Sequence, residues 1–287
     1  MLLNTAAHAQ TNVEIIGGEK LTVDQRLQHT YIVDNVVLKH NGVIIQCDSA
    51  IRKANEGIVE GFGHIYIFQQ DTFTLSGGDY LMYEESSRIA NVTGKNVILK
   101  DQSMTLLTTS LGYNMANQVG FYTNGADILS NENTLKSKRG YYNRRTNIFN
   151  FKENVILTGA DFTMTGDTLD YYSGTSTAYF YGPTKIVSKE NTIDCRYGWY
   201  NTKTEKALFS KGAALHSEKS SIFADSLIYN KKISLGRGIG NIRLIDSSEN
   251  MTVYGQYGWY NQKNDLSMVT QEPMAMQAKD GDTMMVM

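Results

Sequence analysis

The chain has 287 residues, of which 41% are hydrophobic and 20% charged, and its formal net charge is -2. That balance excludes a nucleic-acid binder, whose phosphate contacts need a basic excess, and the apolar content excludes a disordered chain. No stretch approaches the roughly eighteen apolar residues of a membrane-spanning helix. Tyrosine is abundant at 18, against 25 glycines and only 2 prolines, a mixture suited to strands and tight turns.

In chain order, residues 1–9 come first as the remnant of a secretory signal or an unstructured N-terminus. Ala7, His8 and Ala9 form an A-x-A sequence of the kind cut by signal peptidase. An ordinary small-residue N-terminus would read the same way. Residues 13–42 form a degenerate opening unit with Ile15 and Gly17 in the columns described next.

Eight segments then align: VIIQCDSAIR (43–52), FTLSGGDYLMY (73–83), MTLLTTSLGY (104–113) and NTLKSKRGYY (133–142), followed by FTMTGDTLDY (162–171), NTIDCRYGWY (191–200), SSIFADSLIY (220–229) and MTVYGQYGWY (251–260). Their starts recur every 29 to 31 residues. The last column holds Arg52, then Tyr83, Tyr113, Tyr142, Tyr171, Tyr200, Tyr229 and Tyr260. The third column is always apolar: Ile45, Leu75, Leu106, Leu135, Met164, Ile193, Ile222 and Val253. The fifth is always small: Cys47, Gly78, Thr108, Ser137, Gly166, Cys195, Ala224 and Gly255. Apolar residues two apart share one face of a strand, and a small neighbour marks a bend or a close approach. One extra residue in the 73–83 segment predicts a bulge.

Between these segments lie looser alternating runs such as TNIFNFKENVILT (146–158), TAYFYGPTKIVS (177–188) and KALFSKGAALHS (206–217). Alternation means half-buried strands, and no helical segment stands out. The expected fold is all-β, an elongated stack of about nine units of roughly thirty residues, forming one domain over 10–287. The chain stops where a further unit would begin, so the natural protein is expected to continue past Met287.

Candidate chemistry is sparse. Cys47 and Cys195 lie five units apart, at least about 24 Å if each unit adds one strand spacing, which is too far for a disulfide. Asp48, Asp167 and Asp225 share a column in units one, five and seven, and so read as bend aspartates rather than a catalytic pair. His8, His29, His40, His64 and His216 are scattered without metal-ligand spacing. The glycine-rich 236–240 sits between strands and reads as a turn. No cofactor and no catalytic residue is expected. The tyrosine column reads either as structural or as a sugar-stacking face. The C-terminal methionines, Met268, Met274, Met276, Met284, Met285 and Met287, would suit an adaptable apolar surface or exposed strand ends.

The sequence Gly42-Val-Ile-Ile-Gln-Cys47-Asp48-Ser49-Ala50, with Thr165-Gly-Asp-Thr-Leu-Asp-Tyr171, resembles the OstA-like proteins. That family is similar to the periplasmic lipopolysaccharide transport proteins LptA and LptC and to the N-terminal domain of LptD. The resemblance spans residues 13–287. It implies a folded-over β-jellyroll, open along one side, that shelters lipopolysaccharide acyl chains during transit to the outer membrane. It also implies a non-enzymatic periplasmic role and partners of the same fold, joined edge to edge through their sheets. Head-to-tail self-association would use the same edges. The third-column residues would line the groove with Phe151, Phe180 and Phe209, although a sealed core would use the same side chains. The competing reading is a β-helix that binds or cleaves polysaccharide.

Overall fold

The computed structural model describes residues 12–69, 73–102, 104–130, 133–261, 263–264, 266–279 and 282–286. The strands gather into two compact units. Among the described residues, the first takes those of 12–130 with Arg139–Thr146, and the second takes 133–138 with those of 147–286.

The first unit contains β1 (Glu14–Gly17), β2 (Lys20–Asp24), β3 (His29–His40), β4 (Val43–Lys53), β5 (Ile58–Gln69), β6 (Phe73–Glu84), β7 (Ile89–Lys100), β8 (Thr105–Asn114), β9 (Val119–Tyr122) and β10 (Ala126–Ser130). The chain then gives β11 (Asn133–Ser137) to the second unit, where it pairs with β13 (Ile148–Thr158). It returns β12 (Arg139–Asn143) to the first unit, where that strand pairs with β9. The second unit continues through β14 (Phe162–Tyr172), β15 (Thr177–Ser188), β16 (Thr192–Asn201), β17 (Lys206–His216) and β18 (Ser220–Asn230). It ends with β19 (Leu235–Asp246), β20 (Met251–Asn261), β21 (Leu266–Thr270), β22 (Met274–Lys279) and β23 (Asp282–Val286).

Every pairing among the described residues is antiparallel. The eight aligned segments coincide with β4, β6, β8, β11 plus β12, β14, β16, β18 and β20. The extra residue of the second segment is Gly77 (φ 74°), skipped where Ser76 pairs with Tyr66 and Gly78 with Ile65.

Most long strands bend near their middle, and the cause is a recurrent bulge. On β3, β5, β13, β17 and β19, two adjacent residues drop out of the ladder: 34–35, 63–64, 153–154, 211–212 and 240–241. All ten have φ between 42° and 81°, the left-handed region that ordinary strand residues avoid. Two residues opposing one on the neighbour is bulge geometry, and it bends the sheet. Repeated at the same point along the strands, it folds each unit's sheet over on itself.

Distances confirm the folding. A twelve-residue strand extends about 40 Å, and Tyr83 and His40 lie at opposite ends of this strand array. Yet Tyr83 Oη is 2.5 Å from His40 Nδ1. In the second unit Phe162 begins β14 and Tyr200 lies near the far end of β16, with their rings 5.8 Å apart, edge to face. At the tyrosine end, successive hairpin loops are stitched together by backbone bonds. Glu85 N–H donates to Gly57 O at 2.8 Å, Met115 N–H to Arg88 O at 2.9 Å and Thr202 N–H to Ser176 O at 2.9 Å.

Candidate functional site

The third-column residues form cross-strand ladders inside each folded sheet. In the first unit the run is Leu38, Ile45, Ile67, Leu75, Leu99, Leu106 and Ile128, each directly opposite the next. All are at most 4% exposed. Burial of each such side chain contributes about 1.5–3 kcal/mol. A second ladder, beyond the bend, carries Ala50, Leu81, Val92 and Leu111, also buried.

The tyrosines close this interior along the margin where the strand ends meet. Tyr83 reaches His40, the Tyr113 ring lies 4.3 Å from that of Phe73, and the Tyr142 hydroxyl donates to Asp101 Oδ2 at 2.7 Å. Burial pushes the Tyr113 hydroxyl up to about 12 and raises that of Tyr83 further. The tyrosines alternate across the strands with small residues: Ala90 lies between Tyr83 and Tyr113, and Gly120 between Tyr113 and Tyr142. That gives each ring room on its neighbour. Arg52, which replaces tyrosine in the first of these strands, makes a fork with buried Glu85, Nε to Oε1 at 2.9 Å and a second nitrogen to Oε2 at 3.2 Å. The Val13 N–H adds a bond to Oε2 at 3.3 Å. The buried carboxylate therefore has its charge and lone pairs met.

The second unit repeats the ladder with a different outcome. Leu135, Leu157, Met164, Ile186, Ile193, Leu215, Ile222, Leu244, Val253 and Ala275 stand opposite one another in succession. Leu135, Leu157 and Met164 are buried, but every member from Ile186 onward is only half-buried. Tyr171, Tyr200, Tyr229 and Tyr260 are half-buried too. They alternate with Ala178, Ala207 and Gly236. Beyond the bend, Phe151, Leu169, Phe180, Gly198, Phe209 and Leu227 form the opposing buried ladder. Gly198 is required there, because a Cβ would collide with the Phe180 ring and with Leu208 O. Its absence lets Phe180 and Phe209 stack at 6.1 Å. This eighth column, Ala50, Leu81, Leu111, Gly140, Leu169, Gly198, Leu227 and Gly258, escaped the sequence reading. Its signal was the alternation of leucine with glycine in the last six.

A family model of OstA-like proteins matches residues 10–167 and again 154–225, well over half of the sequence. The chain belongs to the OstA-like family. Among solved structures, LptH from Pseudomonas aeruginosa, described as the LptA homologous periplasmic component of the lipopolysaccharide transport device, is similar over 54% of this chain and 94% of its own. Its identity is 9% and its TM-score 0.24. No curated protein matches in sequence.

In this OstA-like chain the polar candidates stay apart. Asp48 belongs to the first unit, while Asp167 and Asp225 lie four strands apart in the second, about 19 Å at the usual strand spacing. Both cysteines are free and buried, and burial pushes each thiol up to about 11. Among the described residues no group of three or more His, Cys, Asp or Glu is placed to hold a metal ion. His8 and Met287 lie outside those residues. Met268, Met284 and Met285 are exposed, and Met274 and Met276 half-buried.

Proposed function

We propose that this chain is a non-enzymatic lipopolysaccharide carrier of the periplasm, sheltering acyl chains in the interior of its second unit. Family membership supports the transport class. The observation that carries the assignment is the aliphatic ladder left only half-buried from Ile186 to Ala275. An apolar row that water still reaches is the surface an acyl chain would cover, since each buried methylene contributes about 0.8 kcal/mol. The buried part, Leu135 and Met164 with Phe151, Phe180 and Phe209, would serve as the floor. Ile193, Ile222 and Val253 would touch the cargo. In the first unit Ile45, Leu75 and Leu106 serve as core. Partners of the same fold, or a second copy, would add strands at the sheet ends. There β2 exposes Leu21 (53%) and Val23 (54%), and β23 exposes Met284 (62%).

Photoreactive residues at Ile193 and Ile222 are expected to capture lipopolysaccharide, and the same groups at Ile45 and Leu75 to remain unlabelled. Equal labelling at all four positions, or none at Ile193 and Ile222, would overturn the carrier reading. The polysaccharide reading loses its structural basis, because a β-helix is built from parallel coils and every described pairing here is antiparallel.

A further inference from the structure

The bends carry side chains that the interior does not use. At each bend one residue faces the two-residue bulge of the neighbouring strand, and at three bends the pair is complementary. Asp48 Oδ2 lies 2.8 Å from His64 Nδ1. Asp225 accepts from the Asn241 side chain at 2.9 Å. Lys138, the cation of the series between β11 and β12, meets Glu153 at 3.1 Å. At Gly63 and Gly240 the carboxylate fills the very space a Cβ would take.

The bend at Arg196 breaks this rule. It faces Gly182 and Pro183 on β15 and Lys211 and Gly212 on β17; neither bulge itself carries an acid, and Asp225, which lies across the 211–212 bulge on β18, turns its carboxylate to Gly240 and Asn241. Lys211 adds a second cation, its Nζ 5.8 Å from the centroid of the Tyr197 ring. Asp194 is already held by Lys185, at 3.0 and 3.2 Å to its two oxygens. Gly212 (φ 81°) has nothing within 4 Å of where a Cβ would stand. A surface cavity of about 470 Å³ opens at this point, lined by Thr165, Lys185, Asp194, Arg196 and Gly212 among others. The place that the Asp48 and Asp225 carboxylates fill at their own bends is here lined by Arg196 and open to solvent, with the only carboxylate of the lining, Asp194, held by Lys185.

We propose that the Arg196 bend binds a phosphate-type dianion, free or carried on a larger molecule. The guanidinium offers a planar fork matched to two phosphate oxygens, Lys211 supplies a second positive charge, and the bare Gly212 backbone allows close approach. The site lies on the outer face of the sheet and does not depend on what the interior holds.

Inorganic phosphate titrated into the full chain is the direct probe, with chloride at matched ionic strength as reference. Amide and guanidinium NMR signals of Arg196 and Gly212 should shift with phosphate alone. Arg196→Gln should weaken the affinity about tenfold and Lys211→Gln about threefold, while Arg237→Gln, on β19, should leave it unchanged. Vesicles of phosphatidylcholine with and without phosphatidic acid separate the sources. Retention by phosphatidic acid that is lost in Arg196→Gln identifies a lipid-borne phosphate, and a shift with inorganic phosphate only identifies a soluble one. Shifts no larger than those from chloride, or shifts that survive Arg196→Gln, overturn the site.

Discussion

Ile45 and Ile193 are the same residue in the same column of the same repeat, yet Ile45 is 1% exposed and Ile193 is only half-buried. Their cross-strand neighbours are equally aliphatic: Leu38 and Ile67 beside one, Ile186 and Leu215 beside the other. The burial of the tyrosine margin differs in the same sense. In the first unit each tyrosine finds a facing group two hairpins earlier, namely His40, Phe73 or Asp101. In the second unit Tyr200 still meets Phe162. Tyr229 and Tyr260 are half-buried, whereas Tyr83 and Tyr113 are buried. Burial thus differs along a hydrophobic column whose residues do not change in kind.

The comparison breaks most readily by truncation. Leu75→Ala should cost about 2–5 kcal/mol, because a sealed site cannot refill. Ile222→Ala, where water already reaches the side chain, should cost roughly half as much or less. Denaturant unfolding of both variants checks this, and equal losses would mean that the second interior is sealed in solution.

Alkaline pH should act on the closed unit next. Tyr113 ionises near 10 when unfolded and only near 12 when buried, so the unfolded chain gives up its proton first. The stabilisation is intact below pH 10 and is lost as the pH rises toward 12. The tyrosine accounts for about 2–3 kcal/mol of it. Tyr113→Phe should retain more stability over that window, measured by unfolding at fixed alkaline pH. A parallel decline in both proteins would show that Tyr113 is not the group responsible.

The smallest effect belongs to the bends. The Asp48 carboxylate holds the His64 imidazole above its usual range, first by hydrogen bonding and then by charge. Asp48→Asn should return His64 toward an ordinary histidine value in an NMR titration while the fold stays intact. An unmoved titration would remove Asp48 as the cause.

Much of the architecture was legible before the fold was known. Columns of apolar residues and tyrosines locate the strands, because alternation sets which side chains share a face. The bends were not legible in the same way. The small column at Cys47 and Cys195 stands next to the bend, but the bulge itself sits on the neighbouring strand. Its residues include Asp34, Asn35, Glu153 and Lys211, no single type marking the left-handed conformation. The Arg196 site was hidden for a related reason: only the paired bulge shows that the arginine lacks a facing acid.

By itself, the sequence determined that this is an all-β repeat, with strands at 43–52 through 251–260 and an apolar third column, since those features follow from local periodicity. Only the tertiary structure decided that the strands divide between two units, and that Ile45 is buried while Ile193 and Ile222 are only half-buried. Burial depends on what the folded sheet brings across from hairpins about forty residues away, as Tyr83 with His40 and Tyr200 with Phe162 illustrate, and no single repeat encodes that fold.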